Sequence, residues 1–151
     1  MTVGIIGLPQ AGATTVFDAL TGAHGDAGTA RRPGEIQVGV LKVPDERLEF
    51  ISAIYQPKKT THATIDVEDC GGVFAHMSRL GETANARAMA QARGQEALLI
   101  VLRAFQDPTV PHVLGSVDAA RDLARIDEEL LLADLGVLEN RTETIRKALQ
   151  R

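Results

Sequence analysis

The stretch Met1–Gly22 restricts the fold more than any other. Thr2–Ile6 is short, apolar and β-branched, as a buried parallel strand requires, and Gly7 follows it. Ala13–Thr21 then places Val16, Phe17 and Leu20 at helical spacing, with Gly22 where a C-terminal cap belongs. Strand, glycine-bearing turn and helix in that order open a βα unit. The alternation continues. Ile36–Val43 reads as a strand, Pro44-Asp45 begins a helix through about Tyr55, and Ala63–Val67 reads as a strand ending at Asp69. Cys70–Gly81 reads as a loop and Glu82–Arg93 as an Ala-rich helix. Ala97–Phe105, the most continuous apolar run, reads as a central strand. His24–Gly34 and Gln106–Val117 read as loops, and Asp118–Arg151 reads as helical throughout.

Alternating strands and helices predict a soluble α/β domain built on a mostly parallel sheet. Residues 1–117 form its core and residues 118–151 a helical arm of the same domain. In the arm, Leu131, Leu135, Leu138, Thr142, Ile145 and Leu149 recur at spacings of four and three, a seam suited to a coiled coil or hairpin, with Gly136 as its weak point. Pairing with a second copy through this arm is a further expectation. In such sheets ligands gather at the carboxyl ends of the strands, so the loops after Ile6, Val67 and Phe105 should converge on any site.

Sixteen basic against twenty acidic residues give a net charge of −4, without the basic face that direct DNA binding needs. No apolar run is long enough to cross a membrane, and no charged leader precedes the first strand, so neither a membrane partner nor a signal peptide is expected. A single cysteine, Cys70, makes no internal disulfide and suits a reducing cytoplasm; its own role reads as a small apolar filler. His24, His62, His76 and His112 share no metal-ligand spacing and read as surface or loop residues. Asp118, Asp122, Asp127, Glu128 and Glu129 read as acids complementing a helix start.

Gly7-Leu8-Pro9-Gln10-Ala11-Gly12-Ala13-Thr14 has the spacing of a phosphate-binding loop, whose glycines let backbone N–H groups turn inward toward an anion. Such a loop takes Lys before its Ser or Thr, yet position 13 is Ala, and no Lys or Arg occurs between Met1 and His24. Thr14 stands where a hydroxyl ligand of Mg²⁺ belongs. Asp69-Cys70-Gly71-Gly72 supplies an acid to hold Mg²⁺ through water and, in Gly72, an N–H for a terminal phosphate. Taken alone, these eight loop residues fit an ordinary glycine turn equally well. A dinucleotide fingerprint with Arg31 and Arg32 reading an NADP 2′-phosphate is a further alternative, weakened by Pro9 at the middle glycine position. Arg31 or Arg32 swinging in to replace the missing lysine is another.

Gly4–Gly22 resembles the opening of the YchF/Obg-like ATPases, and Val38–Leu48, Pro57–Asp69 and Arg103–Arg141 resemble later parts of that family in the same order. The resemblance implies a three-layer, Ras-like P-loop NTPase fold and binding of ATP or GTP with Mg²⁺. It also implies association with ribosomes or translation, and residence in the cytoplasm. It places the nucleotide at Gly7, Pro9, Gln10, Ala11, Gly12, Ala13, Thr14, Thr15 and Gly72, and the metal at Thr14 and Asp69. Val73 matches a family trait, an apolar residue where Ras-type enzymes keep a water-orienting glutamine. The chain departs from the family at Ala13 and at Arg31-Arg32-Pro33-Gly34, where a metal-binding Thr is expected and Thr29 is a distant substitute. The family also continues into the rest of the arm, a base-recognition motif and a C-terminal TGS domain. No residue is assigned as catalytic. A nucleotide-binding domain with weak grip and reduced or absent hydrolysis is the leading expectation; an interaction domain that has given up nucleotide is the alternative.

Overall fold

A computed structural model describes residues 1–22, 37–72 and 79–150. The readings made above for His24, Thr29, Arg31, Arg32, Val73 and His76 fall outside the described residues. Among the described residues the order is β1 (Thr2–Gly7), α1 (Ala13–Thr21), β2 (Gln37–Lys42), α2 (Glu46–Tyr55), β3 (Thr64–Gly72), α3 (Arg79–Arg93), β4 (Ala97–Val101) and α4 (Ala119–Leu149). The strands form one sheet in the order β2-β3-β1-β4. β1 runs parallel to β3 and β4, whereas β2 is antiparallel to β3. The antiparallel pair follows from its connection: α2 buries no residue and so does not act as a crossover layer on the sheet.

Side-chain alternation along β1 builds the two faces. Ile5 and Ile6 are both fully buried but point to opposite sides. Ile5 packs with Ala13, Phe17 and Val67 under α1; Ile6 packs with Leu8, Cys70, Met89, Ala92 and Ile126 under α3 and the start of α4. This is a three-layer mixed α/β fold with a mostly parallel sheet and a long C-terminal helix. None of the helices among the described residues is long and apolar enough to cross a membrane.

Three boundaries differ from the sequence reading. β3 continues through Cys70 to Gly72, where a loop was expected, because pairing with β1 (Ile5↔Asp69 and Gly7↔Gly72) carries the ladder through the glycines. α3 starts at Arg79, ahead of the expected Glu82. β4 stops at Val101 instead of Phe105 and lies at the sheet edge instead of its centre, with Leu98 and Leu99 partly exposed. Its neighbour β1 ends at Gly7, the partner of Val101, so no further ladder bond is on offer beyond that pair. Gly136 does not interrupt α4: its helical penalty of about 1 kcal/mol is small beside the cooperativity of a long helix. Leu131, Leu135 and Leu138 are half or more exposed, so the seam lies bare.

Candidate functional site

The turn between β1 and α1 is held from beneath. Leu8 and Ala11 are buried in the core as two apolar pegs, and the Ala11 N–H donates to the Leu8 carbonyl at 3.0 Å. Gly7 is required by close packing, since a Cβ there would lie 2.7 Å from the Val101 carbonyl oxygen. Positive φ at Gln10 (66°) and Gly12 (100°) curls the chain back over itself.

Above those pegs the backbone donors are uncommitted. α2 and α4 begin with Asp45 and Asp118, whose carboxylates accept from first-turn N–H groups; α1 begins at Gly12 with no side-chain cap. Among the described residues, the N–H groups of Gly12, Ala13, Thr14 and Thr15 have no backbone acceptor, and the first helical bond runs from Val16 to Gly12 at 3.0 Å. A Cβ built on Gly12 would meet no heavy atom within 4 Å, so the turn is neither collapsed nor plugged there. Four orphan N–H groups at a helix start, where the macrodipole contributes about half a positive charge, make a concavity suited to an anion.

The strand register brings the second element alongside. Asp69, 5% exposed, pairs with Ile5 across β1 and β3, and its Oδ2 accepts from Thr14 Oγ1 at 2.7 Å. Its Oδ1 accepts from the Gly71 N–H at 2.9 Å. Thr14 and Asp69, both expected near a metal, are thus in direct contact, and their hard oxygen atoms fit Mg²⁺. In this arrangement they also satisfy each other. Gly72 pairs with Gly7 at the end of the β1–β3 ladder. Pro9 is half-buried, while Gln10 and Thr15 are exposed at the rim. The Ala13 methyl is buried against Ile5, Phe17 and Val67, so it contributes packing and no charge. Cys70 is buried beside this site; burial first, then the Glu68 and Asp69 charges, push its thiol up to about 11, which makes it the inert filler expected of it.

A polar cluster between β4 and α4 was not anticipated. His112, read as a surface or loop residue, lies in the loop before α4 with its side chain only 4% exposed and its Nε2 2.9 Å from Asp122 Oδ2. Asp122, in the first turn of α4 as expected, is 1% exposed and also pairs with Arg121 at 2.8 Å. The signal was present in the helix period. Asp122 shares a stripe with Ile126, Leu130 and Ala133, all packed toward the core. Arg103, 2% exposed, lies nearby at the end of β4.

No protein-family model matches the chain. It is 35% identical over 97% of its length to the ribosome-binding ATPase YchF of Bacillus subtilis, covering 40% of that protein. It is 32% identical over its full length to Obg-like ATPase 1 of Oryza sativa, covering 38% of it. The solved structure of the Schizosaccharomyces pombe YchF GTPase superposes with a TM-score of 0.72 at 30% identity, over 97% of this chain and 39% of that one. The chain therefore spans about two fifths of the length of the relatives it matches. Over that span, in sequence and in fold, it is a homologue of the YchF/Obg-like ATPases.

Proposed function

We propose that this chain is a YchF-like nucleotide-binding domain that grips the phosphates of ATP or GTP weakly and hydrolyses them slowly or not at all. One observation carries the reading: the four amides of Gly12–Thr15 lack backbone acceptors beneath open space at Gly12. The phosphate loop holds the nucleotide by these donors, with Gly7, Pro9, Gln10 and Ala11 shaping the turn and Gly72 offering a further N–H. Thr14 and Asp69 hold Mg²⁺, which when bound supplies the positive charge that the loop itself lacks. Ala13 removes a charge-assisted bond of about 1.5–3 kcal/mol, or roughly 10- to 150-fold in affinity. Hydrolysis loses more, because charge grows on the phosphoryl oxygens toward the transition state. The printed names of the relatives support extending ribosome association, and with it the cytoplasm, to this chain.

The domain boundary belongs to the same reading. Residues 1–117 form the core and 118–151 the arm, anchored to it by Asp122 and Ile126 in the first turns of α4.

The alternative is an interaction domain that has given up nucleotide. It is favoured by the Thr14–Asp69 bond, which leaves both Asp69 oxygens satisfied without a metal. Melting curves with Mg-ATP and Mg-GTP separate the two. A ligand confined to the native state raises stability by about 2.7 kcal/mol at a hundred times its dissociation constant. A rise that grows with the logarithm of nucleotide concentration at millimolar levels and requires Mg²⁺ supports the nucleotide domain; flat melting temperatures with both nucleotides would sink it.

A further inference from the structure

Beyond the phosphate loop, Arg103 is a buried cation that forms no close ion pair among the described residues. Arg103 follows β4 and is 2% exposed. Its Nε donates to the Phe105 carbonyl at 3.1 Å and its Nη2 to the Asp107 carbonyl at 3.3 Å, while the Phe105 ring lies 4.8 Å from the guanidinium carbon. Nη1 is buried and has no partner. Burying a guanidinium against neutral carbonyls alone is costly, and such groups are normally paired with an anion.

Hydrogen bonds from Thr109 and, after them, the Arg103 charge hold the Asp107 carboxyl below its usual range, but neither neighbouring carboxylate hydrogen-bonds the guanidinium. Asp107 Oδ1 accepts from both the N–H and the hydroxyl of Thr109, at 2.9 and 2.6 Å. Asp122 is held by Arg121 and lies against His112. Among the described residues, Arg103 forms no ion pair with either. Arg103 also forms part of the wall of a cleft of about 430 Å³, with Gln106, Pro108, His112, Ser116 and Val117 around it. That volume lies within the usual range of small-molecule sites, roughly 300–1,000 Å³.

We propose that this cleft is a second binding site, separate from the phosphate loop, that takes a small oxyanion (a phosphate or carboxylate group) on the Arg103 guanidinium. The planar fork of arginine suits two-oxygen anions, and a bound anion would give the unpaired Nη1 an acceptor.

The test is a titration of the ¹⁵N-labelled chain with inorganic phosphate and, separately, malonate, at ionic strength fixed with chloride. Saturable shifts at residues 103–117 and at the Arg103 Nε–H resonance are expected, with a dissociation constant on the order of 1 mM. Arg103→Lys keeps the charge but loses the fork, and should weaken binding about 10-fold or more while circular dichroism stays unchanged. Response to phosphate alone identifies a phosphate-ester site, and response to both a general oxyanion site. Shifts confined to Gly12–Thr15, shifts that track ionic strength without saturating, or equal affinity in Arg103→Lys would each overturn the proposal. Should Arg103→Lys fail to fold, the location of the shifts in the unmodified chain decides alone.

Discussion

Restoring the lysine, Ala13→Lys, asks whether the phosphate loop is intact apart from its charge. Ala13 is 8% exposed and packs against Ile5, Phe17 and Val67, so three added methylenes and an ammonium cannot stay in that cluster. Overpacking there costs about 1–3 kcal/mol unless the chain runs outward. The open space above the adjacent Gly12 is the exit, letting the stem lie over the turn and the ammonium reach a phosphate held by the unpaired amides. The ligand-free melting temperature should then fall slightly or hold. The gain appears only with nucleotide. At a concentration equal to the wild-type dissociation constant, ligand adds about 0.4 kcal/mol, and the same concentration after a ~100-fold tightening adds about 2.7 kcal/mol. At about 2–4 °C per kcal/mol for a chain of this size, the two proteins should differ by roughly 5–9 °C in their nucleotide-induced shift. Thermal melts with and without Mg-ATP and Mg-GTP measure it. Equal shifts in both proteins, with Ala13→Lys folded, would refute the reasoning, because an intact loop cannot ignore a cation placed among its donors.

Asp69→Asn keeps the shape but weakens the pairing with the Thr14 hydroxyl; it should cost about 1–2 kcal/mol in urea unfolding and remove the Mg²⁺ dependence of any nucleotide shift. Ile126→Ala should cost about 2–5 kcal/mol, as for other fully buried aliphatic side chains. Leu138→Ala, on the exposed part of α4, should stay within about 0.5 kcal/mol, and equal costs would argue against α4 being anchored only through its first turns. The folded-state Cys70 thiol titrates above its ordinary value, so the native chain holds that proton more tightly than the unfolded chain. Stability from this group is therefore full below about pH 9 and lost as pH rises toward 11, and Cys70→Ala should flatten that part of the stability–pH curve.

Much of the sheet was legible because period and punctuation agree. β1, α1 and α2 match the sequence reading within a residue or so, their ends marked by Gly22, Pro44-Asp45 and the glycines of the turn. The errors share a cause. Cys70–Gly72 look like a loop to local propensity, but pairing with β1 makes them strand; Leu102–Phe105 look like strand, but their neighbour has already ended. Both outcomes are decided by partners distant in sequence, which a local reading does not contain. The burial of His112 and Asp122 escaped for a related reason: polar residues in a loop and in a first helical turn give no local sign of burial, although Asp122 shares with Ile126 a stripe that faces inward.

The candidate site divides along the same line, between residues that shape the loop and residues that charge it. Its curl depends on Gly7 fitting against the Val101 carbonyl, on Leu8 and Ala11 anchored in the core, and on positive φ at Gln10 and Gly12. A lysine at position 13 would add to none of these. Substituting Ala there therefore leaves the backbone donors in place, and the buried methyl joins the cluster under α1. Thr14 and Asp69 meet in a short hydrogen bond, in which the Thr14 hydroxyl donates its hydrogen and keeps its oxygen lone pairs for a metal. On the proposed reading Mg²⁺ would therefore enter without breaking that bond, and the charge at position 13 is the term whose restoration should recover affinity.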